Sequence, residues 1–433
     1  MPSRPNVVLV VLDTVRRDRV SSYGYERETM PNFDRFAENA TRFLEPVAQA
    51  PWSIPSHASL FTGEYPRTHG ATTAAPICRS RPFLPEQLQQ AGYETYAVSP
   101  NEYIRPATGF GRGFDAFDPP SRVPSWLAHR SGPLLNWGAS TPTVRRPIER
   151  VFNAVRTTNA RSPGTDPDAD DRLGGRGVCA HVEERLTQAS EPLFLFVNLM
   201  DAHLPRSPAP DHFDRFVDQA LADVEVVENE RAHTFGERLT DREIEKMAQL
   251  YDADVRTLDD ALGALLSTLE SAGMLENSLV ICVSDHGEHL GEFGLVGHQH
   301  SVFEPAVSVP LAIQFPDGGP DTISEQVELR RIYHTILDET GVESFPERSL
   351  ASGVGDEYTR GSFYTPMLDL EKLLWEREAV VEPDLLGERL SFVRDGESKL
   401  VEFGDEQWLF GLPEHDSHCL DRNAHETMLP VSN

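Results

Sequence analysis

Three runs of unbroken apolar residues constrain this chain more than anything else in it: Asn6–Leu12 (NVVLVVL), Leu193–Val197 (LFLFV) and Ser278–Val283 (SLVICV). Runs without polar alternation read as strands buried on both faces, the pattern of a parallel sheet covered by helices on each side. In open sheets of that kind ligands gather beyond the carboxyl ends of the strands. All three runs lead into polar clusters there: Asp13-Thr14, Asp201-x-His203 and Asp285-His286-Gly287-Glu288. Taken singly, a carboxylate at such a place is a turn cap or a metal ligand, and Asp13 alone reads as a cap.

Pro51–Gly63 (PWSIPSHASLFTG) reads as a turn leading into a short helix. Pro55 suits a first helical turn, where its missing N–H costs nothing. Leu60 and Phe61 turn inward, and Gly63 ends the helix. Ser53 then stands at the helix mouth, where unpaired N–H groups and the macrodipole favour an oxyanion. A lone Ser-x-Pro-Ser is more often a cap than a nucleophile. The acidic strand ends spaced around it change that balance.

Elsewhere, Pro31–Phe43 is expected as an amphipathic helix with Phe33, Phe36, Ala40 and Phe43 on one face. Thr62–Gly70 and Gly109–Phe117 read as loops, Phe83–Gln90 and Glu243–Ala272 as helices, and Glu94–Ser99 and Val309–Phe315 as further strands. Past residue 347, Ser391–Arg394, Lys399–Phe403 and Trp408–Phe410 are short strand-like runs separated by Asp-Gly and Gly-Asp turns. The expected fold is α/β, with a mostly parallel central sheet flanked by helices and a small C-terminal antiparallel sheet subdomain. The main domain covers 1–346 and the subdomain 347–433. An Arg-rich insertion at about 121–175 interrupts the main domain. Between 121 and 161 it holds seven arginines and a single acid, Glu149. Its apolar stripe (Val144, Ile148, Val151, Phe152, Val155) reads first as a helix docked on the protein's own acidic body and second as a membrane-surface helix.

The net charge is −30, the sequence pI is near 4.8, and the lysines number three: Lys246, Lys372 and Lys399. An acidic surface with so little lysine suits a protein kept soluble in concentrated salt, which screens the self-repulsion, so a halophilic source is expected. General nucleic-acid binding needs a basic footprint and is excluded. The four cysteines (Cys78, Cys179, Cys282, Cys419) are scattered and form no zinc or redox pair. The run Val7–Leu12 is too short for a secretory signal, and nothing approaches a transmembrane length, so a cytoplasmic location is the expectation.

The polar segments together resemble the sulfatase family of the alkaline phosphatase superfamily. The matching residues are Pro5-Asn6, Asp13-Thr14-x-Arg16-x-Asp18, Tyr23-Gly24-Tyr25, Pro31-Asn32-x-Asp34 and the Ser53-x-Pro55-Ser56-His57 to Thr62-Gly63 segment. They continue through Tyr65-Pro66-x-x-His69-Gly70, Asp201-x-His203-x-Pro205, Tyr251-Asp252-Ala253 and Asp285-His286-Gly287-Glu288-x-Leu290-Gly291-Glu292. The resemblance spans nearly the whole chain apart from the Arg-rich insertion, and with the acidic balance it leads to the expectation of a haloarchaeal-type member. It implies an ester hydrolase with a small anionic substrate and one divalent metal. Asp13, Thr14, Asp285 and His286 are the implied metal residues, Thr14 standing where many members have a second aspartate. Ser53, His57, His203 and His298 are the implied catalytic residues, and Asn101, His203 and His300 the implied substrate contacts. An imidazole ligand favours manganese or zinc over calcium or magnesium, which stay open. A second metal held by Asp201, His298 and His300 fits the pattern less well.

The departures bear on chemistry. Family sulfatases usually carry a cysteine at position 53, matured to formylglycine, and an arginine four residues on; here these are Ser53 and His57, so formylglycine is not expected. The family lysines are replaced around Ser99-Pro100-Asn101 and by His298. A plain serine forms a covalent ester. Sulfated serine lacks the elimination route open to a formylglycine hydrate, whereas phosphorylated serine can be hydrolysed by activated water. A phosphate ester, phosphodiester or phosphonate ester therefore rivals a sulfate ester. A lipid head-group phosphotransferase and a non-catalytic anion binder are the other classes in play. Oligomeric state is left open.

Overall fold

The computed structural model describes residues 4–71, 82–118, 174–226, 239–292, 295–298, 301–364, 389–403, 406–412 and 419–422. The Arg-rich segment 121–161 and His300 lie outside the described residues. The strands are β1 (Asn6–Leu12), β2 (Thr41–Val47), β3 (Glu94–Val98), β4 (Ala116–Asp118), β5 (Leu193–Leu199), β6 (Ser278–Val283), β7 (His289–Leu290), β8 (Val296–Gly297), β9 (Leu311–Gln314) and β10 (Asp321–Glu328), followed by β11 to β15 (Thr359–Tyr364, Arg389–Arg394, Ser398–Phe403, Glu406–Gly411, Cys419–Arg422). The helices are α1 (Pro31–Ala37), α2 (Ser53–Thr62), α3 (Pro66–His69), α4 (Leu84–Gln90), α5 (Gly175–Leu186), α6 (Pro210–Phe216), α7 (Asp241–Ser271), α8 (Glu304–Val307) and α9 (Arg331–Glu339), with short 3-10 turns between.

Eight strands form the central sheet in the order β10-β2-β9-β6-β1-β5-β3-β4. β9 runs antiparallel to both its neighbours, and the other pairings are parallel. The unbroken apolar runs are explained by burial on both faces. Val7, Leu9 and Val11 of β1 point into the core shared with α2, α4 and α9, whereas Val8, Val10 and Leu12 meet α1, α5 and α7. Register brings the strand ends level: Val11 pairs with Asn198 on one side and Val283 on the other. The carboxyl ends of β6, β1, β5 and β3 thus share one edge.

Several sequence expectations change. Pro31–Phe43 divides, with the helix ending at Ala37 and Thr41–Val47 forming β2. Phe43 pairs with Leu311 of β9 instead of finishing a helical stripe. The apolar spacing continues across the break, but Asn39-Ala40 turns the chain, and beyond it Thr41 and Phe43 are buried with Arg42 between them less so, as on one face of a strand. The loop Thr62–Gly70 contains α3, with Pro66 at its start. The stretch Gly109–Phe117 ends in β4.

The five-stranded antiparallel sheet β11-β12-β13-β14-β15 contributes Phe363, Phe392, Val401, Trp408 and Phe410 to the same core as α2 and β1. It is also tied down by charge. Glu304, opening α8, receives Arg394 Nη1 at 3.0 Å and Lys399 Nζ at 3.1 Å, and Lys399 Nζ also donates to the Val302 carbonyl. Burial pushes the Glu304 carboxyl up, but Arg394 and Lys399 outweigh it and bring it down to about 2. No helix among the described residues is long and apolar enough to cross a membrane.

Candidate active site

At the end of β1 the chain turns through Thr14 at φ 65°, a left-handed conformation that strains a β-branched residue. The turn is held from α7, where the Tyr251 hydroxyl donates to the Thr14 carbonyl at 2.7 Å and accepts the Arg16 N–H at 2.9 Å. The Thr14 N–H donates to Asp285 Oδ1 at 3.4 Å, joining the β1 and β6 ends. Asp13, Asp285 and His286 converge there, fully buried, with ligand atoms all within 4.8 Å of one another. Thr14 Oγ1 is buried beside them without a hydrogen-bond partner.

Ser53 is the first residue of α2, and Gly63 ends that helix in the left-handed region at φ 70°. Pro55 has no N–H and the Ser56 N–H bonds the Trp52 carbonyl, so Ser53 and Ile54 supply the outward amides of the first turn. The Ser53 hydroxyl donates to His286 Nε2 at 3.3 Å and accepts from Asn101 Nδ2 at 3.1 Å. Asn101, just past β3, also donates to Asp13 Oδ2 at 3.0 Å. Ser53, Asn101, Asp13, Asp285 and His286 are thereby one contiguous group. Ser56 Oγ fixes it to the sheet by donating to the Asp285 carbonyl at 2.6 Å.

His57 lies one turn into α2 and faces the sheet. Its Nδ1 donates to the Ser53 carbonyl at 2.9 Å and stands 3.3 Å from Asp285 Oδ2, while Phe61, Phe110 and Phe196 surround the ring. Burial pushes its pKa down to about 4, so it is neutral at pH 7. His298 packs against His286 with ring centroids 4.4 Å apart, and His203 packs against His298 at 5.3 Å. The His298 Nδ1 faces Glu288 Oε1 at 3.3 Å, and Glu288 Oε2 accepts from Arg206 Nη2 at 2.8 Å. Burial raises the Glu288 carboxyl, but Arg206 and His298 hold it well below the usual carboxylate range. Asp201 is drawn elsewhere: both its oxygens accept the Gly175 N–H at the start of α5, at 3.0 and 3.1 Å.

The donor set fits a divalent cation. His286 Nδ1–H donates to the Gly287 carbonyl at 3.0 Å, which leaves the Nε2 lone pair facing inward. Nε2 stands 3.3 Å from Asp285 Oδ2 and 4.0 Å from Asp13 Oδ1. Those two carboxylate oxygens are buried without a hydrogen-bond partner. Burial and then the neighbouring Asp13 push the Asp285 carboxyl well above its ordinary value, whereas burial and His298 hold His286 well below its own. Two crowded carboxylates beside a neutral imidazole are electrostatics that a divalent cation would relieve. Among the described residues this is the one such group of acidic, histidine or cysteine ligands.

Two residues of this region were not assigned from the sequence. Asn198 reaches Asp13 from β5, and Glu288 backs His298. The first could have been noticed as a polar residue inside the apolar run Leu193–Leu199.

The relatives that the chain matches are ester-bond hydrolases, and a solved member of the alkaline phosphatase superfamily shares its fold. The Sulfatase family profile matches residues 5–342. A sulfatase of Formosa agariphila is 24% identical over 385 residues, covering 81% of this chain and 72% of that protein. The choline-sulfatase of Rhizobium meliloti is 22% identical over 411 residues, covering 86% and 78%. Among solved structures, the phosphonate monoester hydrolase of Agrobacterium radiobacter superposes with a TM-score of 0.69 at 19% identity, covering 95% of this chain and 90% of the other. The chain belongs to the sulfatase family.

Proposed function

We propose that this sulfatase-family member is a divalent-metal-dependent hydrolase of sulfate or phosphate esters with unmodified Ser53 as nucleophile. The observation that carries this reading is the position of the Ser53 hydroxyl at the amino end of α2, 3.3 Å from His286 Nε2 and beside the unpartnered oxygens of Asp13 and Asp285. Asp13, Asp285 and His286 would hold the ion, with Thr14 Oγ1 adjacent; imidazole ligation favours manganese or zinc, with magnesium and calcium as arms of the test. When bound, it would polarise the ester's nonbridging oxygens and ease deprotonation of the nucleophile.

The chain's own groups supply the rest. Asn101 Nδ2 orients the Ser53 oxygen, and the Ser53 and Ile54 amides at the helix mouth face the anion as charge grows on it. Ser53 Oγ gives up its proton to solvent water, its bond to sulfur or phosphorus forms as the bond to the leaving oxygen breaks, and His298 or His203, entering the step protonated, delivers a proton to that oxygen. Water then cleaves the seryl ester, releasing sulfate or phosphate and restoring the hydroxyl. His57, buried behind Asp285, holds the Ser53 carbonyl.

A phosphodiester or phosphonate monoester is the second reading. It is supported by serine in place of the formylglycine precursor and by the fold likeness to a phosphonate monoester hydrolase. The test is a panel of nitrophenyl sulfate, phosphate, phosphodiester and phosphonate esters, assayed in high salt with manganese, zinc, magnesium and calcium. Metal-dependent turnover of at least one ester, lost in Ser53→Ala, is expected. Turnover that survives Ser53→Ala overturns the nucleophile, and metal uptake without turnover on any ester favours an anion binder.

A further inference from the structure

β5 reads Leu-Phe-Leu-Phe-Val-Asn-Leu and is buried along its whole length. Asn198 is therefore out of place. A buried amide that is not fully hydrogen-bonded is destabilising, and an aliphatic residue would fill the position without that cost. Its Oδ1 has no hydrogen-bond partner. Its Nδ2 donates to Asp13 Oδ2 at 3.4 Å. The β1–β5 register sets Asn198 opposite Val11, two residues before Asp13, and the Asp13 N–H bonds the Leu199 carbonyl at 2.9 Å. The strand pairing itself aims the amide at the carboxylate.

Asn101 reaches the same oxygen from the other side. The Tyr103 N–H donates to Asn101 Oδ1 at 2.9 Å, which settles the orientation of that amide and turns its Nδ2 to Asp13 Oδ2 at 3.0 Å. Asp13 Oδ2 thus accepts two N–H groups, and Oδ1, facing His286 Nε2, accepts none. A carboxylate pinned through one oxygen presents the other as a directed, single-oxygen ligand. Left unpinned, it rotates toward a two-oxygen grip or swings away. We infer that Asn198, with Asn101, is a positioning residue that clamps Asp13 Oδ2 and reserves Oδ1 for a divalent cation. Asn101 extends the same clamp to the nucleophile, because its Nδ2 also holds Ser53 Oγ at 3.1 Å.

The inference rests on the metal-dependent reading of the site, and the experiment separates the two. Chelator-stripped wild type, Asn198→Leu and Asn198→Val are titrated with manganese by calorimetry, melted with and without manganese, and assayed on the ester panel across manganese concentration. Both variants are expected to bind manganese about 10- to 100-fold more weakly, the usual effect of losing a group that orients a ligand. Their metal-free melting temperature should match or exceed that of wild type, since an unsatisfied amide has gone, and kcat should recover at saturating manganese. A metal-free melting point that falls while manganese affinity stays unchanged makes Asn198 merely structural and overturns the clamp. Wild type that takes up none of manganese, zinc, magnesium or calcium removes the metal reading itself. If one variant does not fold, the other reads the same quantities from a different side-chain shape.

Discussion

Glu304→Gln tests how firmly the C-terminal sheet fastens the site. A carboxyl brought from 4.5 to about 2 is stabilised in its ionised form by about 3 kcal/mol, at about 1.4 kcal/mol per tenfold change in acidity. The substitution also takes the Glu304 carboxylate away from fully buried Lys399, and removing one partner from a buried pair costs about 3–5 kcal/mol. Arg394 keeps Glu45. Unfolding entropy of about 2.1 cal/mol/K per residue gives about 0.9 kcal/mol/K for 433 residues, so the melting point should drop by about 3–6 °C. The assay is calorimetric melting of wild type, Glu304→Gln and Glu304→Gln/Lys399→Met at matched salt. The double variant should regain part of the loss, because the buried cation that faced Glu304 has gone with it. The folded carboxyl is more acidic than the unfolded one, so its stabilisation is complete above about pH 4.5 and disappears as pH falls toward 2. The gap between wild type and Glu304→Gln must close over that window. A drop under 1 °C at pH 7, or an equal loss in the double variant, refutes the reasoning.

Ser53→Ala should lower kcat/KM by about 10⁴-fold or more on any ester the protein turns over, and peptide mass spectrometry of wild type should show unmodified serine. Asp13→Asn should abolish manganese binding in calorimetry yet raise the metal-free melting point, since the crowding that raises the Asp285 carboxyl is relieved. Buried neutral His57, His69, His289 and His334 are each held near 4 against 6.5 when unfolded, so protons favour the unfolded chain. The melting temperature should therefore fall steadily from about pH 6.5 down to 4, and a flat profile there would contradict the burial of these rings.

The parts of the site written as strong local patterns were legible in the sequence. Unbroken apolar runs marked β1, β5 and β6, and their following residues marked the ligand-bearing edge. Pro55 and Gly63 bracketed α2 because each favours a backbone that other residues resist. What failed was decided by distant partners. β2 took Phe43 because β9 and β10 lie beside it, although local spacing continued the helix. β10 is exposed along much of its outer stretch (Asp321-Thr322 and Ser324-Glu325), so its sequence carried little strand signal. Asn198 and Glu288 act on other side chains, and nothing local reveals which atom a buried amide or carboxylate will face.

The strand-edge placement of the polar group has a bearing on how the protein is made. Its members come from positions 13, 53, 101, 198, 285, 286 and 298, and the three candidate ligands follow β1 and β6, strands adjacent in the sheet but far apart in the chain. A chain still leaving the ribosome can complete β1, β3 and β5 and yet lack the imidazole and second carboxylate that follow β6. On the proposed reading, a nascent chain that ends before β6 therefore holds Asp13 without its two candidate co-ligands, and the group is completed only when β6 joins β1.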